Sequence, residues 1–276
     1  MKAKERCYAC LRDLARQTVS LSGADGALIE RSFDLIDRLC TPDTNPTAVS
    51  NQLLKFIRAE TGVSDPFAAK KALELSQARK AAAEFQCLVN EGLEGVLKYS
   101  CLGNSHDYFG GAYNVADFRF VADIESIRGA VVSSGSRALL FGDNVGDFFF
   151  DLPLIRLLES AGKFVYYAVK EGPAQNDLSM TDVAMYRLCD LFPNIISTGA
   201  DEVGITRERM SQTVNDLWES DAVVIAKGMG NYESISEFHG GRRVIYILKV
   251  KCKTVAEALG RDVGEHTSFV GGVNGW

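Results

Sequence analysis

Apolar positions recur at helical spacing through the first hundred residues and gather into short strand-like runs after residue 110. Cys7 to Val19 and Ala27 to Leu39 both carry the helical pattern. Pro46 and Pro66 stand where further helices begin, because the first helical position needs no amide proton. Asp65, just before Pro66, is a fair N-cap. The Ala-, Lys- and Glu-rich stretch from Phe67 to Leu97 predicts one long helix or a pair, with Gly92 and Gly95 weakening its last turns. No strand is expected in this part.

Beyond residue 110 apolar runs alternate with amphipathic stretches. Strands are expected at Ala138 to Phe141, Phe164 to Val169, Ile195 to Ser197, Ala222 to Ala226 and Val244 to Val250. Helices are expected at Phe148 to Ala161, Thr181 to Leu191, Arg207 to Trp218 and from Thr254 to Leu259. The Gly-rich tail from Phe269 to Trp276 reads as irregular. Such alternation predicts an α/β fold with a mostly parallel sheet covered by helices on both faces. Two domains follow, a helical one over residues 1–100 and an α/β one over 101–276.

Composition narrows the function. The 276 residues allow one large or two smaller domains, and 46% hydrophobic content supplies a core. A net charge of −6 argues against a nucleic-acid partner, which calls for a basic excess. No apolar run is long enough to span a bilayer, and the first residues lack the apolar region of a secretory signal. Seven scattered cysteines fit reduced thiols, so a cytoplasmic location is expected.

In open α/β sheets, ligands bind beyond the carboxyl ends of the strands. Those ends carry Gly142-Asp143-Asn144-Val145-Gly146-Asp147, Lys170 to Asp177, Thr198 to Asp201, and Lys227-Gly228-Met229-Gly230-Asn231. Glycines at a helix start let backbone N–H groups reach a phosphate, and Lys227 adds charge. Asp143, Asp147 and Asp177 would repel that phosphate unless a cation stood between them. A divalent cation held by the carboxylates and the Asn144 carbonyl resolves the conflict. An all-oxygen set is hard and favours Mg²⁺ or Mn²⁺ over zinc, with Co²⁺ and Ni²⁺ as further alternatives. The plainer readings are a polar turn at Asp143-Asn144, a first-turn carboxylate at Asp147, an ordinary tight turn at Gly228 and Gly230, and a solvated Lys227.

These segments together resemble the metal-dependent damage-control phosphatases, once catalogued as domain of unknown function eighty-nine. Gly103-Asn104-Ser105-His106-Asp107-Tyr108, Ser197-Thr198-Gly199, Lys249-Val250-Lys251-Cys252 and Cys7-Tyr8-Ala9-Cys10 are similar to segments of the stand-alone microbial branch. The resemblance implies a helical N-terminal part and a three-layer α/β/α sandwich with a Rossmann-like sheet. It implies Asp143, Asn144 and Asp177 as metal ligands. Lys227, Gly228, Gly230, Asn231 and Lys251 would hold the phosphate. Asn104, Asp107, Ser197 and Thr198 would line the substrate pocket. Asp147 departs from a pattern that more often has Glu there, and is one methylene shorter.

The activity so implied is hydrolysis of phosphate monoesters of small metabolites, such as sugar phosphates or damaged phosphometabolites. Asp143, Asp177 and Lys227 would be its catalytic residues. Activated water is the preferred nucleophile, and an aspartyl-phosphate at Asp143 is the alternative. Two other function classes are a non-catalytic metal or metabolite sensor and a nucleotide-dependent transferase; no Walker loop supports the latter. Cys7 and Cys10 make only half of a zinc pattern. His106 suits the pocket or a structural role equally.

Overall fold

The structure, a computed structural model, describes residues 1–104 and 118–272. Three helices open the chain: α1 (Glu5–Leu21), α2 (Gly26–Leu39) and α3 (Pro46–Thr61). Their starts have local causes. The Asp25 side chain accepts from the Ala27 and Leu28 amides, and that of Asn45 from the Thr47 amide, with Pro46 in the first turn. The three close on a core of their own that includes Leu11, Val19, Ile36, Leu53 and Ile57.

The expected long helix is a pair: α4 (Ala68–Glu84) and α5 (Gly92–Gly103), joined by a 3₁₀ turn over Gln86–Glu91. Gly92 breaks the run with φ of 73°. Strand β1 (Phe120–Ala122) and helix α6 (Ile124–Ser133) follow, in a stretch where no element was expected. Then come β2 (Arg137–Phe141), α7 (Asp147–Ser160), β3 (Phe164–Val169), α8 (Met180–Met185) and β4 (Ile195–Ser197). The chain ends with α9 (Gln212–Glu219), β5 (Val223–Lys227), α10 (Gly228–Ile235), β6 (Val244–Lys249), α11 (Lys253–Leu259) and β7 (His266–Gly271).

Two expected helices are shorter than their patterns. Arg187, at φ of 54°, ends α8 and leaves a 3₁₀ turn beyond it. The Arg207–Arg209 stretch is also 3₁₀, and α9 begins only where the Ser211 side chain accepts from the Val214 amide. The tail differs more: its start lies in β7, antiparallel to β6.

The seven strands form one sheet in the order β1-β7-β6-β5-β2-β3-β4, parallel except where β6 meets β7. Alternate side chains enter opposite cores, as the period of two requires. Ala138 and Leu140 of β2 join Val223 and Ile225 of β5 beneath α4 to α8. Leu139 and Phe141 join Val224 and Ala226 beneath α9 to α11. The result is a three-layer α/β/α sandwich preceded by helices. Among the described residues no helix is long and apolar enough to cross a membrane.

Candidate active site

Strand β2 lies inside the sheet, with β3 on one side and the central strand β5 on the other. The chain turns outward from β2 through β3 and β4, then returns to build β5 and β6. The crevice between the carboxyl ends of β2 and β5 is therefore the switch point where such sheets bind ligands. Gly142 donates its amide to Ala168 O at 2.9 Å, and the next residues leave the sheet. They pair with the loop after β3 in a short antiparallel bridge between Asn144 and Asp177. The Val145 amide donates to Asn176 O at 3.0 Å and the Leu178 amide to Asp143 O at 2.8 Å. Asp143, Asn144 and Asp177 are thus brought together, all nearly buried.

Helix α5 reaches into the same place. Its C-cap residue, Asn104, donates from Nδ2 to Asp143 Oδ2 at 2.7 Å and to Asp147 Oδ2 at 3.0 Å. Its Oδ1 accepts from the Lys249 amide at 3.3 Å. Asp147 Oδ1 is buried with no hydrogen-bond partner among the described residues. Burial pushes the Asp147 carboxyl upward, and Asp143 adds to the rise while Lys227 opposes it. Burial likewise raises Asp177, against the pull of Lys170, whose Nζ lies 3.6 Å from Asp177 Oδ2. That oxygen also lacks a hydrogen-bond partner among the described residues.

Two buried lysines stand near these carboxylates. Lys227, expected at the phosphate, is fully enclosed. Its Nζ donates to Asp151 Oδ1 at 2.6 Å, Ser100 O at 2.8 Å and Ser100 Oγ at 3.0 Å, which uses all three protons. Lys170, which the sequence did not single out, is the cation beside Asp177. It donates to Gly204 O at 2.6 Å and Asn231 Oδ1 at 3.2 Å. Burial lowers its pKa against the pull of Asp177 and Asp143. Asn231 donates in turn to Gly142 O and Lys227 O, so its amide ties β2, β5 and Lys170 together.

The Damage-control phosphatase ARMT1-like domain matches residues 3–267. The chain belongs to this damage-control phosphatase family. A damage-control phosphatase of Pyrococcus horikoshii is 28% identical over 94% of each chain. One of Archaeoglobus fulgidus is 24% identical, over 98% of this chain and 99% of that one. The crystal structure of a DUF89 family protein from Pyrococcus horikoshii superposes with a TM-score of 0.82 at 26% identity, covering 97% of this chain and 98% of that one.

In this member of the family the Gly-rich segment after β5 is the first turn of α10 itself. Gly228 has φ of 77°, and a Cβ there would lie on the Asp143 carboxylate. Gly230 packs against Val203, and a Cβ there would stand only 3.0 Å from Val203 Cγ1. Lys251 follows β6, close enough to Glu74 to lower its pKa. Ser197 and Thr198 stand at the end of the edge strand β4. Ser197 Oγ donates to Glu171 and accepts from the Gly199 amide, and Thr198 Oγ1 donates to Ala200 O at 3.3 Å. None of these bonds joins them to the aspartates. Asp107 and His106 lie outside the described residues.

Two further acids were missed. Asp151 accepts from Lys227, Ser100 Oγ and the Tyr167 hydroxyl. A lone carboxylate in the apolar run Phe148 to Leu154 was the signal that it needed a buried partner. Glu74 of α4 accepts from Asn176 Nδ2 at 3.1 Å and carried no such signal.

Among the described residues no group of three or more His, Cys, Asp or Glu is placed to hold a metal ion. The Asp143, Asn144 and Asp177 set has two carboxylates and an amide, which is a leaner arrangement. Cys7 of the Cys-x-x-Cys pair is buried 3.8 Å from Thr254 Oγ1, and Cys10 is exposed.

Proposed function

We propose that the chain is a divalent-cation-dependent phosphatase of small-metabolite phosphate monoesters, sugar phosphates or damaged phosphometabolites among them. One observation supports the reading above all. Two buried aspartates and an asparagine meet at the switch point, and Asp177 Oδ2 makes no hydrogen bond among the described residues. The Lys170 ammonium stands 3.6 Å from Asp177 Oδ2, and with Asp143 and Asp147 buried nearby the group still favours a further cation. Membership of the damage-control phosphatase family supports the reaction class.

The all-oxygen donors fit Mg²⁺ or Mn²⁺, and Asp143, Asn144 and Asp177 would hold it. Bound there, the cation supplies charge neutralisation of the phosphoryl oxygens and a more acidic water. The chain does the rest. Asn104 fixes Asp143 and Asp147 with one amide group. Lys170 keeps Asp177 oriented toward the crevice. The first N–H groups of α10 would suit a phosphate at the same end of the sheet, and Lys251, whose amide donates to Met229 Sδ at 3.2 Å, adds charge nearby. Asp147, raised by burial, can hold a proton at Oδ1 for a departing alkoxide. Lys227 acts from below, since its field reaches Asp147 while its protons stay with Asp151 and Ser100.

The test is phosphate release from a mixed panel of monoesters by chelator-treated protein, with Mg²⁺, Mn²⁺, Co²⁺ or Ni²⁺ restored in turn. Turnover should return with a hard cation and fall ~100-fold or more in Asp177→Ala. A folded wild-type protein that releases no phosphate with any of the four would sink the reading.

A further inference from the structure

We propose that Glu74 is a positioning residue that clamps the two aspartate-bearing loops to each other from outside the sheet. It sits on α4, far from the site in sequence, and is completely buried. Its Oε2 accepts from Asn176 Nδ2 at 3.1 Å. Its Cγ and Oε1 also pack on Gly146, each 3.3 Å from where a Cβ at that glycine would stand. Asn176 precedes Asp177, and Gly146 precedes Asp147. One side chain therefore bonds to the loop after β3 and packs on the loop after β2.

The packing agrees. A Cβ on Gly146 would lie 2.9 Å from Ala78 Cβ and 3.3 Å from Glu74 Cγ, so α4 closes directly on this loop. Beneath the contact lie two backbone bonds of the Asn144 and Asp177 bridge, from Val145 to Asn176 and from Leu178 to Asp143. Two bonds are a short ladder, and a ladder that short opens readily unless other groups hold it. Glu74 spans the same pair of loops with one hydrogen bond and one packing contact. Groups that orient ligands from outside commonly set affinity as strongly as packing does. The helical part of the chain thereby acts on the geometry of Asp143 and Asp177 without touching either.

The clamp itself stands on these contacts; its effect on cation affinity rests on the metal reading above. Two measurements separate the two. Amide hydrogen exchange at Val145 and Leu178, in cation-free protein, reads the clamp alone. Mn²⁺ titration by calorimetry reads the effect on binding. Glu74→Ala should speed exchange at Val145 and Leu178 about 10-fold or more, and leave Ile245 in the centre of the sheet unchanged. It should also weaken Mn²⁺ ~10- to 100-fold. Glu74→Gln keeps the size and one acceptor, so it should fall between wild type and Glu74→Ala on both measures. It also serves if Glu74→Ala does not fold. Unchanged exchange at Val145 and Leu178 in a folded variant would overturn the clamp, as would an equal rise across the whole sheet. Wild-type protein that binds no Mn²⁺ would overturn the metal reading and leave the exchange result to decide the clamp.

Discussion

The Lys227 ammonium lies 2.6 Å from the Asp151 carboxylate, and neither side chain reaches solvent. Such a pair is costly to break from one side, because the survivor is a buried charge without its counterpart. Lys227→Met should therefore destabilise the fold by about 3–5 kcal/mol in denaturant titration. Replacing both partners, as Lys227→Met with Asp151→Leu, should recover part of that loss. A lysine whose task was to grip substrate would instead raise KM and leave stability alone.

Gly228 and Gly230 should respond differently to alanine. At Gly228 the φ of 77° and the Asp143 carboxylate both oppose a side chain. Gly228→Ala should cost about 1–3 kcal/mol of stability and displace Asp143. Gly230 has ordinary helical φ, and the one tight contact of a Cβ there would be a Val203 methyl group at 3.0 Å, which can yield. Gly230→Ala should change stability by less than about 1 kcal/mol. Thermal unfolding of the two variants beside wild type checks the contrast.

Two buried groups should give the cation-free protein opposite slopes of stability with pH. Burial lifts the Glu74 carboxyl from its ordinary 4.5 to about 8, against the hydrogen bond from Asn176. Its contribution is complete below pH 4.5 and is lost as pH rises through about 8. Burial, with Lys249 and Lys251 nearby, drops His266 from 6.5 to about 3. The unfolded chain then takes a proton that the folded chain refuses, so stability is lost as pH falls from 6.5 toward about 3. Glu74→Gln should flatten the alkaline limb of a melting-temperature series and His266→Asn the acidic limb. Parallel curves for all three proteins would contradict both assignments.

Much of the fold was legible because four central strands bury both faces and so read as plain apolar runs. Strand β7 was not. It begins His266-Thr267-Ser268, three buried polar side chains that resemble a loop, and it is held by neighbours on both sides. Strand β1 has three residues, too few to show a period. Asp143 and Asn144 stood out because they follow the apolar strand β2 closely, whereas Asp177, eight residues past β3, was picked out as a ligand with them through the family resemblance. Lys170 follows β3 by one residue and looks like a solvated charge until the fold encloses it. Glu74 is one of several charges on a helix with little apolar bias, and only its contact with Asn176 and Gly146 distinguishes it.

The most direct test of the central claim is anomalous diffraction at the manganese edge from crystals grown with Mn²⁺ and inorganic phosphate. A peak within about 2.5 Å of side-chain oxygens of Asp143, Asn144 and Asp177 is the expected result. A manganese peak elsewhere, or none in an ordered crevice, would contradict it.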